Sequence, residues 1–375
     1  MSDQPLSGLK VLDFTTLVPG PLASLILVEA GAEVIKIERP EGEYMRHREP
    51  RWGEQPAMFA LLNRGKRSLA LDLKAPGAVE ALKPLIGEAD ILLEQFRPGV
   101  MDRLGLGYER CRAINPRLIY CSISGYGQRG PKAREAGHDV NFVSEAGHLS
   151  IPPEAAERRL LPPPPVADIG GGTLPAVINI LLALISRQRS GKGAHLDIAM
   201  CDGMFLFSCW GVTQGLATGI WPKPGAERLS GGSPRYQVYP TKDKRFVAAG
   251  ALEDHFWANF CAAIGLEERY RDDEADPQAS IEAVRRRIAE KDAEHWRAVF
   301  ADADCCCCIV ATLEEAVQNP HFRARGLFDR KIVNEAGAQS PSLPLPLADM
   351  FREPPDRVRS APALGADNDA LLKRS

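Results

Sequence analysis

Through its first 124 residues the chain alternates short apolar runs with helical stretches, and this rhythm limits the folds open to it more than any other feature. The run Lys-Val-Leu-Asp-Phe at 10–14 precedes a helical pattern at 21–30, and a second run, Ala-Glu-Val-Ile-Lys-Ile, follows at 32–37. Two strands joined through one helix make a βαβ opening. Further strands are predicted at 68–72, 91–96 and 118–124, with helices at 78–89 and 108–114 between them. Because parallel neighbours need such crossovers, the pattern predicts an α/β fold with a mostly parallel sheet covered by helices.

Sheets of this kind bind ligands beyond the carboxyl ends of their strands. The turns Pro19-Gly20-Pro21, Arg97-Pro98-Gly99 and Gly125-Tyr126-Gly127 fall at that edge. No G-x-G-x-x-G follows the first strand, and Pro131 stands where a phosphate-binding loop needs its Lys, which disfavours NAD-type and ATP-motor readings. The 46 basic residues against 49 acidic ones leave a net charge of -3, with no basic tail, so nucleic acid is not an expected partner. Residues 1–10 lack a signal pattern and no apolar run reads as long enough to span a bilayer, so a cytoplasmic protein without a membrane partner is expected.

The nine cysteines are read as reduced thiols. Four of them, Cys305 to Cys308, are consecutive, and four neighbouring residues do not readily turn their sulfurs onto one tetrahedral ion, so no metal is expected. The run is read as a buried strand or helix end, because free Cys packs as a small hydrophobe.

At 375 residues the chain exceeds one core's usual size. The organisation expected is a large α/β domain over 1–200, a helix and Pro/Gly-rich linker over 201–234, a small α+β domain over 235–320 opening on a hairpin, and a C-terminal segment over 321–375 that returns to the large domain.

Two motifs carry chemistry: Gly137-His138-Asp139-Val140-Asn141-Phe142, and Asp168-Ile169-Gly170-Gly171-Gly172 before a long apolar helix. Each sets a proton-transfer group beside glycine, whose backbone freedom suits turns and close ligand approach. A His and an Asp on separate turns could serve opposite faces of one carbon, one removing a proton and the other returning it. Read alone, Asp139 and Asp168 fit helix N-caps equally well.

With these pieces in order the chain resembles the class III CoA-transferase superfamily, and within it the α-methylacyl-CoA racemases. The resemblance rests on the segments 6–14, 31–40, 63–67, 97–100, 103–107, 124–127, 197–203, 231–234 and 321–328. It implies a Rossmann-like large domain with a mostly parallel sheet, a smaller α+β domain and an interlocked homodimer. It also implies an acyl-CoA substrate and no cofactor beyond the CoA moiety. The transferases are similar in carrying an Asp nucleophile at Asp168, whereas Gly137-His138-Asp139 looks like the racemase motif.

For the site, the resemblance implies that His138, oriented by Glu253, and Asp168 are the acid/base pair, and that the Asp139 N–H receives the enolate oxygen. Arg39, Arg97 and Arg103 would hold CoA phosphates, while Leu71, Asp72, Leu73, Lys74, Gln95 and Phe96 would hold the adenosine part. Gly137 and Phe142 would line the pantetheine path. The competing readings are a CoA-transferase that uses Asp168 covalently and a CoA-binding protein without catalysis. The acyl group is not legible in the apolar segment 200–210.

Overall fold

The computed structural model describes residues 4–152 and 165–372. Its internal contacts divide the chain into two compact units. One comprises Met1–Ala146, Pro162–Phe207 and Pro320–Ser375, and the other Gly147–Leu161 and Ser208–Asn319. The 201–234 segment, read as helix and linker, is thus shared between the two.

The first unit is built on six parallel strands: β1 (Lys10–Asp13), β2 (Glu33–Glu38), β3 (Arg67–Ala70), β4 (Ile91–Glu94), β5 (Ile119–Ser124) and β6 (Ala194–Ala199). Their order is β3-β2-β1-β4-β5-β6. The chain therefore proceeds from β1 toward one edge and then crosses to the other side of β1. The reversal point lies between β1 and β4, where such sheets open a crevice at their carboxyl ends.

Helix α1 (Pro19–Glu29) has no polar stripe and is buried along its whole length, as expected of a helix apolar all round. It covers one sheet face together with α5 (Leu174–Ser190), while α2 (Ala78–Glu88) and α3 (Tyr108–Ile114) cover the other. The core beneath α2 and α3 includes Leu12, Ile35, Leu69, Leu82, Leu92 and Tyr120.

A π-helical turn (Ala167–Thr173) runs directly into α5. The sequence reading of no spanning run is corrected here: Ala167–Ser190 is one helical element of 24 residues with hydropathy 1.8, long and apolar enough to cross a membrane by length and composition. In this fold it packs on β5 and β6, and Arg187 near its end pairs with Asp90 at 2.8 Å.

The C-terminal segment docks on the edge strand of the sheet. The Ser68 N–H donates to Asp367 and the Ala70 N–H to Asn368 Oδ1, so an otherwise open strand edge is capped.

The second unit holds a three-stranded antiparallel sheet of β7 (Tyr236–Pro240), β8 (Phe246–Gly250) and β9 (Cys307–Ile309), with β8 central. Helices α7 (Asp254–Ile264), α8 (Pro277–Ile288) and α9 (Ala293–Phe300) bury Trp257, Phe260, Val284 and Trp296 against Tyr239 and Val247. The expected hairpin is present. The cysteine run is only partly as read: Cys305 is buried, but Cys306 and Cys308 are exposed, and β9 begins only at Cys307.

Candidate active site

The site grows from the carboxyl ends of β1, β2, β3, β4 and β5. At the end of β1, Asp13 is fully buried, an expensive position for an unpaired charge. Lys66 Nζ donates to it at 3.1 Å, the hydroxyls of Ser24 and Thr15 bond to it, and Lys36 Nζ donates to the Thr15 carbonyl. Burial opposes ionisation of Asp13, but Lys66, Lys36 and the two hydroxyls outweigh it and hold the carboxyl far below its usual range. Glu43 adds an ion pair to Lys36 at 3.4 Å and accepts from the Leu17 N–H at 3.1 Å. Leu17 has φ of 62°, a region costly for a branched residue, so this network holds the loop between β1 and α1 against its local preference.

That loop meets the Asp168 turn. The Thr173 hydroxyl donates to the Pro19 carbonyl at 2.7 Å, and the Gly20 N–H donates to Gln95 Oε1 at 3.2 Å, across the reversal point of the sheet. Gln95, expected beside the adenosine part of CoA, is therefore engaged by the β1 loop.

Helix α4 (Asp139–Glu145) starts at the other motif, with His138 as its N-cap. The Asn141 side chain accepts from the His138 N–H at 3.0 Å, which ties the cap to the first turn and leaves the imidazole exposed. Asp139 Oδ1 accepts from the main-chain N–H groups of Ala167 at 2.6 Å and Asp168 at 3.0 Å. One residue thus joins the two motifs. As the first helical residue, Asp139 keeps a main-chain N–H that has no partner within the helix.

Asp168 lies inside the π-helical turn rather than capping a regular helix. Burial and, after it, the negative charge of Asp139 push its carboxyl up to about 6, with His138 acting in the opposite sense. The glycines that follow have ordinary helical backbones. Close approach is what requires them: a β-carbon on Gly170 would lie 2.5 Å from the Phe207 ring, and one on Gly171 would lie 2.1 Å from the Met200 carbonyl oxygen. Both partners belong to α6 (Met200–Phe207).

Gly137 lies against the ring of Phe142, which is 3% exposed. The Phe142 ring, expected beside the pantetheine path, packs against both the Gly125 and the Gly137 turns. Glu253 is the N-cap of α7 in the second unit, exposed, and its carboxylate makes no bond to its own helix.

Arg39, Arg97 and Arg103 are exposed just beyond β2 and β4. Arg39 Nε donates to the Gly42 carbonyl, while Arg97 and Arg103 make no ion pair among the described residues. Beside them, Leu73, Lys74, Gly77, Glu80, Arg103 and Leu104 line a cavity of 420 Å³. Leu71 and Phe96 are half-buried, and Asp72 is exposed at the same edge. Two features were not foreseen. The Asp13, Lys36, Glu43 and Lys66 network is signalled only by polar residues placed within apolar strand patterns. Glu94, buried at the end of β4, has a carboxyl pushed up to about 7, first by burial and then by Asp102 and Asp197, against hydrogen bonds from Ser122 and the Phe96 N–H.

Residues 6–368 match CoA-transferase family III. The chain belongs to that family. It is 37% identical over 351 residues to alpha-methylacyl-CoA racemase of Homo sapiens, covering 91% of this chain and 86% of that one. It is also 34% identical over 385 residues to acetyl-CoA:oxalate CoA-transferase of Acetobacter aceti, covering 98% and 95%. The fold is similar to that of a CAIB/BAIF family protein from Brucella suis, with a TM-score of 0.83, 30% identity and 99% of each chain covered. The family match thus spans nearly the whole chain, and relatives bearing the names of two different activities resemble it.

Proposed function

We propose that this family III protein interconverts the epimers of 2-methylacyl-CoA thioesters by exchanging the proton at the carbon next to the thioester. The observation that supports this most is the bond from the Asp168 N–H to Asp139, which joins the two motifs within one unit. In one direction His138 takes the α-proton and becomes imidazolium, the enolate oxygen accepts from the Asp139 N–H, and protonated Asp168 returns a proton to the opposite face. In the other direction the two groups exchange roles. A preorganised N–H donor at a developing oxyanion contributes about 3 kcal/mol. A carboxyl near 6 is protonated often enough to give a proton and ionised often enough to take one.

In this reading the CoA phosphates lie against Arg39, Arg97 and Arg103, since guanidinium groups are matched to phosphate oxygens. Glu253 serves to orient the base. A second copy of the chain covers the apolar face of α5, where Ile178, Leu182 and Ile185 are each more than half exposed.

The test is α-proton exchange into deuterated buffer from each epimer, for the unmodified protein and for His138→Ala, Asp168→Ala and Glu253→Gln. Exchange from both epimers that is lost on substituting His138 or Asp168 supports the reading. Absence of exchange, with CoA transfer to an added carboxylate that depends on Asp168 alone, replaces it with the transferase activity of the other relatives.

A further inference from the structure

Asp139 entered the argument through its main-chain N–H, yet its side chain makes the more specific contact. Oδ1 accepts from two successive N–H groups, those of Ala167 and Asp168, 28 and 29 residues further along the chain. These groups open the π-helical turn that carries Asp168, where main-chain donors lack partners within the helix. The Asp139 carboxylate therefore caps a helix other than its own. The same residue presents its N–H where the first reading puts the enolate oxygen.

We propose that Asp139 is a positioning residue, whose carboxylate fixes the Asp168 turn relative to the Asp139 N–H and so sets the distance between the proton donor and the oxyanion donor. This rests on the racemase reading for what the two groups do, but not for the contact itself. A fixed separation matters because proton transfer to a planar enolate tolerates little displacement, and misplacement by about 1 Å can cost on the order of a hundredfold in rate.

A second consequence is electrostatic. A carboxylate held against the backbone of another acid favours that acid's neutral form. Of the elements packed on the Asp168 turn, α4 carries Asp139 and Glu145 with His138 at its start, α6 carries Asp202, and β6 carries His195 and Asp197. Helix α1 has no charged residue before Glu29, and α5 has none before Arg187. Burial raises Asp168 first; among the charges Asp139 adds to the rise and His138 acts in the opposite sense.

The two contributions separate in two substitutions. Asp139→Asn keeps an oxygen to accept both N–H groups and removes the charge, whereas Asp139→Ala removes both. The pH profile of α-proton exchange is measured for each. With Asn, the limb governed by Asp168 is expected to move to lower pH by about one unit, and kcat to fall less than with Ala. With Ala, kcat is expected to fall by about a hundredfold, with little change in KM. A profile for Asn that superimposes on that of the unmodified protein, or an Ala variant with unchanged kcat, overturns the proposal.

To separate its failure from that of the racemase reading, Asp168 is also labelled with a water-soluble carbodiimide and an amine across the acid-to-neutral range. The modification is mapped by mass spectrometry on the full chain. This labelling follows protonation of Asp168 whatever the enzyme catalyses. If the unmodified protein exchanges no α-proton, the racemase reading fails. The inference then stands if Asp139→Asn moves the labelling midpoint to lower pH, and falls if the midpoint stays.

Discussion

Gly203 packs against Gly171 so closely that a β-carbon on Gly203 would lie 2.4 Å from the Gly171 α-carbon. Helix α6 and the Asp168 turn thus meet backbone to backbone, with no flexible side chain between them to yield. Gly203→Ala is expected to force the two apart and lower stability by about 1–3 kcal/mol. Thermal unfolding reads the loss, and α-proton exchange should fall with it. An alanine variant that unfolds at the same temperature as the unmodified protein would show that the contact is not tight.

The Asp13 and Lys66 pair is buried on both sides. Removing one partner strands the other charge away from water. Lys66→Met is therefore expected to destabilise the protein by about 3–5 kcal/mol, measured by urea unfolding, and a second change, Asp13→Leu, should recover part of that loss. If Lys66→Met alone costs nothing, the pair does not support the loop between β1 and α1.

Glu94 gives a pH-dependent expectation with a definite sign. Its ordinary value is 4.5 and the folded protein raises it to about 7. Below the ordinary value both states are protonated and burial carries no penalty. Between the two values the folded protein binds the extra proton, so stability falls as pH rises through this window, and the penalty is complete above it. Glu94→Gln should stabilise the fold by about 3 kcal/mol at about pH 8 and have little effect at about pH 4. Equal effects at both pH values would contradict the assignment.

Arg103 stands at the cavity beyond β3 and β4 without an ion pair among the described residues. If it holds a CoA phosphate, Arg103→Ala should weaken CoA binding by about tenfold in a titration calorimetry experiment. Because exposed charges are screened, the difference should shrink at high salt. A CoA affinity unchanged by the substitution would move the phosphate contact elsewhere.

Local patterns carried much of this fold. The parallel sheet was legible because buried parallel strands are continuous apolar runs, and their crossover helices repeat between them. The Tyr236–Pro240 and Phe246–Gly250 hairpin was legible because its strands are close in sequence. Cys305 to Cys308 were harder, since which sulfurs face the core depends on where β9 pairs with β8, and that pairing is long-range. The long apolar helix was legible after the glycines, but its extension back to Ala167 was not, because glycines and an aspartate interrupt the apolar run although the backbone continues through them.

The site divides along the same line. His138 and Asp168 stand out in the chain because their chemistry is carried by residue type and their motifs are contiguous. Asp139 accepting from the Asp168 N–H, the glycines packed against α6 and the Asp13–Lys66 pair are contacts between segments 28 or more residues apart. The sequence by itself determined which residues could move a proton and that a parallel sheet would carry them. Only the tertiary structure decided which carboxylate holds which backbone and which acids are pushed toward neutrality, because burial and the approach of distant charges exist only once the chain has folded.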